Sequence, residues 1–143
     1  DECLEIADNV LHCQNHEVET ILKMFERMVA DYAFICIDLQ YLIEVLKNSK
    51  TLHFQQSHAI GIDSIMQATK QIFDKVNLPE AKTILTCAVV PSDTGFEEVG
   101  KMDELMENAL SNVDFYHAVN FEDENTLWNK GEKGCWLGFL FVK

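Results

Sequence analysis

Two stretches, TILTCAVV at 83–90 and CWLGFLFV at 135–142, hold no charged residue in a chain whose net charge is −13. A strand with one wet face alternates apolar and polar side chains. A run that is apolar throughout reads as a strand covered on both faces. The sheet therefore has both faces covered near these runs, and 135–142 is expected at its centre and not at an edge. A chain of 143 residues with 48% hydrophobic content has enough material for one core, burying roughly 70% of its unfolded surface.

The remaining elements follow from periodicity. Leu4, Ile6, Val10, Leu11, Val18, Ile21, Leu22, Phe25 and Met28 return near helical spacing and predict helix over about 2–29, broken by the polar stretch HCQNHE. After the apolar link YAFICI, Asp38 opens a helix with Leu39, Leu42, Ile43 and Leu46 on one face, ended by Asn48 and Ser49. TLHFQ, 51–55, is a strand candidate. Gly61 precedes a helix over 62–76, and Pro79 lies beyond its end. Thr94-Gly-Phe-Glu97 has the form of a capping box, in which hydroxyl and carboxylate each satisfy a backbone amide; it opens a helix over 96–110. DFYHAVNF, 114–121, alternates as a strand does, and EDENTLWNKGEKG is a polar loop. The order is N-terminal helices followed by β-α-β-α-β-β, an α+β chain. Residues 1–48 and 49–143 are its two parts within one continuous structural unit. Two βαβ units make three strands parallel, and the last strand runs against its predecessor.

The 11 Lys and Arg residues are scattered, whereas a phosphate backbone or an anionic bilayer calls for clustered cations. The reading is no nucleic acid and no membrane. No stretch reaches the ~18 apolar residues of a membrane span, and none has the form of a signal peptide. The five cysteines are odd in number, dispersed and without C-x-x-C spacing; this fits a reducing compartment and a cytoplasmic protein. The chain opens on Asp1 with no methionine, as a trimmed protein or part of a longer one would.

Several residues are candidates for chemistry. Asp38 is a good helix cap by type and position. His12, Cys13 and His16 are the best metal constellation, since 12 and 16 stand one helical turn apart; the simpler reading is a solvated helix face, and no cofactor is expected. His53 and His58 have no partner signature, and His117 alternates as a core-edge residue. Cys87, inside a buried run, lacks the base and exposure of a nucleophile. Glu97-Glu98 and Glu122-Asp123-Glu124 read as solvated pairs and triples. Trp128, flanked by polar residues, is either a partner-binding anchor or a lid folded on the sheet.

The element order resembles the C-terminal half of the FtsZ/tubulin family of polymer-forming GTPases. The resemblance runs over about 5–142 and rests on Cys36-Ile37-Asp38-Leu39-Gln40-Tyr41-Leu42, on Gly61-Ile62-Asp63 opening a helix, on Ala81-Lys82-Thr83-Ile84-Leu85 entering a strand, and on Phe96-Glu97-Glu98-Val99. It implies a four-stranded mixed sheet in the order first, fourth, second, third. In that family the loop before the second helix gives acids to the nucleotide site of the next subunit. By position Asp38 matches the first acid, Tyr41 replaces the second and Cys36 replaces an Asn, so the loop is degenerate. No glycine-rich phosphate cradle is present, and neither GTP binding nor hydrolysis is expected of this chain. The resulting expectation is a non-catalytic domain for protein–protein contact, self-association or filament assembly, as in cell-division GTPases. The alternatives are a small metal-binding protein and a small enzyme on a chorismate-mutase-like fold. The second is disfavoured because anionic substrates call for arginines and this chain has only Arg27.

Overall fold

The computed structural model describes residues 2–6, 9–74, 80–110, 112–122 and 134–143, with 2–6 and 9 as backbone only. Its elements are β1 (Glu2–Ile6), β2 (Asn9–Cys13), a 3-10 turn (Asn15–Glu17), α1 (Val18–Met28), α2 (Leu39–Lys47), β3 (Thr51–Ile60), α3 (Ser64–Phe73), β4 (Thr83–Val90), α4 (Phe96–Ala109), β5 (Asp114–Phe121) and β6 (Gly134–Val142). They build one mixed sheet of six strands in the order β1-β2-β3-β6-β4-β5.

The strand foreseen at 135–142, β6, lies between β3 and β4 and is antiparallel to both. β4 and β5 are parallel, so β3, β4 and β5 run one way. The order of these four is the first-fourth-second-third order that the resemblance implied. Every residue of β6 is buried, as is all of β4 after Thr83. On one face Ile21, Met24 and Met28 of α1 and Leu42 of α2 pack with Leu85, Trp136 and Leu140. On the other, Ile65, Ala68 and Ile72 of α3 and Val99, Met102 and Met106 of α4 pack with Ile84, Leu137 and Phe139. Helices on both faces are the reason these two runs carry no polar alternation.

Three expectations are corrected. The sheet has six strands and not four, because 2–6 and 9–13 are paired strands and not helix. β1 and β2 pair antiparallel, and β2 joins the β3 edge in parallel through Val10–His12 against Thr51–His53. An open β3 edge offers backbone partners that an isolated helix would forgo, and apolar residues at 4, 6 and 11 fit a two-residue period in part. Helix begins only at Val18, after the polar stretch. Next, β3 runs to Ile60 and not 55. The polar residues just beyond 55 have work inside the fold: Trp136 Nε1 donates to Gln56 (2.9 Å), and Ser57 Oγ donates to the Ala68 carbonyl (2.7 Å). Finally, α4 is capped by Gly95 without a side-chain bond. Thr94 is buried with its hydroxyl unpartnered, and Glu97 pairs with Lys101 (3.1 Å).

Gly138 is set by space. A Cβ there would fall 2.4 Å from the Trp136 ring and 2.7 Å from Met24 Sδ. Gly138→Ala should cost about 1–3 kcal/mol by overpacking. Gly100→Ala, in the open interior of α4, should gain about 0.5–1 kcal/mol. Urea melts of both variants check this; opposite signs are expected.

Candidate functional site

The C-terminal ends of β3, β4 and β5 lie at one edge of the sheet, and the segment between α1 and α2 is fastened beside them. Phe34 N–H and Ile35 N–H donate to the Val119 carbonyl (2.9 and 3.2 Å), Val119 N–H donates back to Ile35 (2.9 Å), and Ile37 N–H donates to Met28 (2.7 Å). Ile37 is buried as a peg while Cys36, Asp38, Leu39 and Gln40 face outward. The loop is thus rigid at its anchors and exposed between them.

Asp38 adopts extended backbone (φ −62°, ψ 130°) and caps α2: Tyr41 N–H donates to Asp38 Oδ1 at 3.1 Å. Tyr41 packs on Tyr116 of β5 with ring centroids 4.3 Å apart and planes tilted by 46°. Burial, then a hydrogen bond with Tyr116, hold its phenol well above the ordinary tyrosine value, so it stays protonated at neutral pH and cannot serve as the second acid's base.

Around this loop the edge is apolar at its centre. Phe34 packs on Phe96 (4.7 Å) and Phe121 (5.2 Å), yet Phe96 remains 80% exposed and Tyr32 68%. A pocket of about 370 Å³ between Gly61, Ile62, Pro91, Asp93, Thr94 and Glu98 continues the edge, and Ile62 beside it is fully exposed. Gly61, at φ 108°, makes the turn from β3 into this corner. Asp63, Asp93, Glu97 and Glu98 are exposed around these residues. The exposed aromatics and Ile62 were not picked out by sequence reading. Their only signal is a large apolar residue directly before or at a helix start, where ordinary core residues also occur.

The other candidates separate. His12 and Cys13 are consecutive strand residues and point to opposite faces; Cys13 is buried in the core and His16 is exposed on the 3-10 turn. The expected trio therefore does not converge, because the spacing argument assumed a helix. Among the described residues no group of three or more His, Cys, Asp or Glu is arranged to hold a metal ion. Burial pushes the Cys87 and Cys135 thiols up to about 12, which leaves them un-ionised and unreactive. Arg27 is buried against the sheet, its carbonyl accepting from Asn120 Nδ2 (3.2 Å), not displayed for an anionic substrate. Trp128 lies outside the described residues. No helix among the described residues is long and apolar enough to cross a membrane.

His117 is a core-edge residue: its side chain is 7% exposed, its Nδ1 shares a hydrogen bond with the Thr86 hydroxyl, and Nε2 stands 3.5 Å from Asp103 Oδ1. Thr86 is fully buried and beyond the reach of any substrate, so this row is structural.

No protein-family model and no curated protein matches the sequence. Solved structures do match in fold. FtsZ of M. jannaschii, as a point mutant, superposes with a TM-score of 0.72 at 14% identity over 90% of this chain and 38% of that one. An FtsZ dimer from M. jannaschii gives 0.67 at 14% identity over 85% and 35%. TubZ in GDP-form protofilaments from Bacillus thuringiensis serovar israelensis gives 0.61 at 13% identity over 90% and 34%. This chain spans little more than a third of these proteins, in their C-terminal domain region, and has the fold of that domain.

Two outcomes follow from the site. Asp38→Ala should lower stability by about 0.5–2 kcal/mol, and Asp38→Asn or Ser should restore most of it, because both cap nearly as well; paired thermal melts read the difference. Burial holds His117 neutral, with its pKa lowered to about 4 from 6.5. A lowered histidine pKa means that the unfolded chain binds the proton first. Stability should therefore fall as pH drops from 6.5 to about 4, and His117→Gln should flatten that slope in denaturant midpoints measured across the window.

Proposed function

We propose that this chain is an assembly domain whose protein contact surface is the edge formed by the 32–40 segment, the Gly61–Ser64 turn and the start of α4. The observation that carries this reading is the anchored loop, which leaves Asp38, Leu39 and Gln40 exposed and whose Phe34 packs on the largely exposed Phe96. Large exposed aromatics ringed by polar groups are the usual composition of a contact centre. The fold adds support, since matched structures are described as a dimer and as protofilaments. The acidic rim favours partners with basic margins.

The role is contact, not catalysis. The one acid of the loop is engaged as a cap, the Tyr41 phenol is not a base, and the chain carries no glycine-rich phosphate cradle. GTP chemistry, where the whole protein performs it, belongs to another domain or subunit.

Because the edge is acidic, self-association should be weak at low salt and strengthen as salt screens the like charges. Sedimentation velocity at low and high salt is expected to show concentration-dependent association that Phe96→Asp abolishes. Leu22→Asp, at an exposed position on α1, should leave it intact. A chain that stays monomeric at every salt and concentration, or equal loss in both variants, would reject self-association through this edge.

A further inference from the structure

At the far end of β3 from that edge, His12 of β2 and His53 of β3 are register partners. Their rings lie stacked, with centroids 4.3 Å apart and planes within 6° of parallel. They line a polar pocket of about 240 Å³ together with Gln14, Glu17 and Gln55. Both histidines are half-buried, so the rings are held in place yet remain reachable from solvent.

We propose that His12 and His53 form a binding site for a divalent transition-metal ion of the zinc, copper or nickel class, tying β2 to β3. Imidazole nitrogen suits these ions and not magnesium or calcium, which prefer oxygen. Two nitrogens on one tetrahedral zinc stand about 3.4 Å apart, given Zn–N bonds of about 2.0–2.1 Å. The parallel stack at 4.3 Å keeps the two ring planes from meeting, so binding requires the rings to turn about their side-chain bonds until one nitrogen of each points at a shared ion; the strand register places both side chains close enough for this. The protein gives two ligands, and water fills the remaining positions. The Glu17 carboxylate in the same pocket and the net charge of −13 offset the charge of the cation.

The protonation states agree with this use. Burial, then the charges of His12 and Lys143, hold the His53 pKa below its ordinary value, so its ring is neutral at pH 7, as a metal ligand must be. Lys143 is the nearby cation that opposes binding. Each imidazole has two nitrogens, so one can keep a protein hydrogen bond while the other faces the metal. The consequence is mechanical: β2 meets β3 over only Val10–His12, and a metal across the last pair would clip the hairpin to the sheet.

Calorimetric titration of the chelator-treated chain with Zn²⁺ tests the site. The expectation is saturable one-to-one binding and a Zn²⁺-dependent rise in melting temperature. His12→Gln and His53→Gln should each weaken binding by about tenfold or more and remove the thermal shift. His16→Ala and His58→Ala should behave as the parent, and Mg²⁺ should neither bind there nor compete. Circular dichroism identifies any variant that fails to fold, and the His53→Gln result stands alone if His12→Gln is that variant. Absence of saturable Zn²⁺ binding, parent-like binding by a folded His53→Gln, or equal competition by Mg²⁺ would each overturn the proposal, the last by assigning binding to the acidic surface.

Discussion

The structure depends on the central position of β6. Its antiparallel pairing with both β3 and β4 puts a strand with no solvent face between two helical layers, and the register on either side fixes where each neighbouring strand ends. Gly138 is the narrowest point: it lets the Trp136 ring and Met24 occupy one place above the sheet. Through Met24 the position of α1 is set, and through the end of α1 the anchor of the following loop, since Ile37 bonds back to Met28. The surface that presents Asp38 and Leu39 is thus referred to the middle of the core by a short chain of contacts.

Much of this was legible because the two apolar runs leave few alternatives. A strand apolar on both faces must be internal, and with two βαβ units the strand order has little freedom. β4 and β5 match their expected ranges, and α2 begins directly after Asp38, the residue expected to cap it. The N-terminal hairpin was not legible. Five-residue strands such as β1 and β2 carry too few positions to separate a period of 2 from one of 3.6, and what decides them is the β3 edge, a tertiary fact. The stretch of β3 beyond residue 55 was missed for a related reason: Gln56 and Ser57 break the apolar pattern, and their partners exist only once Trp136 and α3 are in place.

The candidate site divides along the same line. The Asp38 cap could be read because capping is local, spanning three residues. The His12–His53 pair could not, because it joins residues 41 positions apart (53 − 12) through strand register. A helix over 2–29 would pair His12 with His16 instead, since a helix brings positions 12 and 16 together and a strand parts them. The exposure of Phe96 was hidden for the opposite reason: an aromatic at a helix start is ordinary core material, and only the packing shows that its ring touches Phe34 and then stops.

The loop at 32–40 is where fold and proposed role meet. A loop that performed hydrolysis in a neighbour's site would need a carboxylate free to orient water and a second acid to share the work. This one directs its carboxylate to the Tyr41 amide and puts an un-ionised phenol in the second place, packed against Tyr116 of β5. Both features stiffen the loop and neither supplies a base. Stiffness is what a contact surface needs, because side chains already held in place lose less freedom on binding. Under the proposed role, the features that leave this loop without a base are the ones that serve recognition: the same cap and ring contact hold Leu39 and its neighbours in a single arrangement.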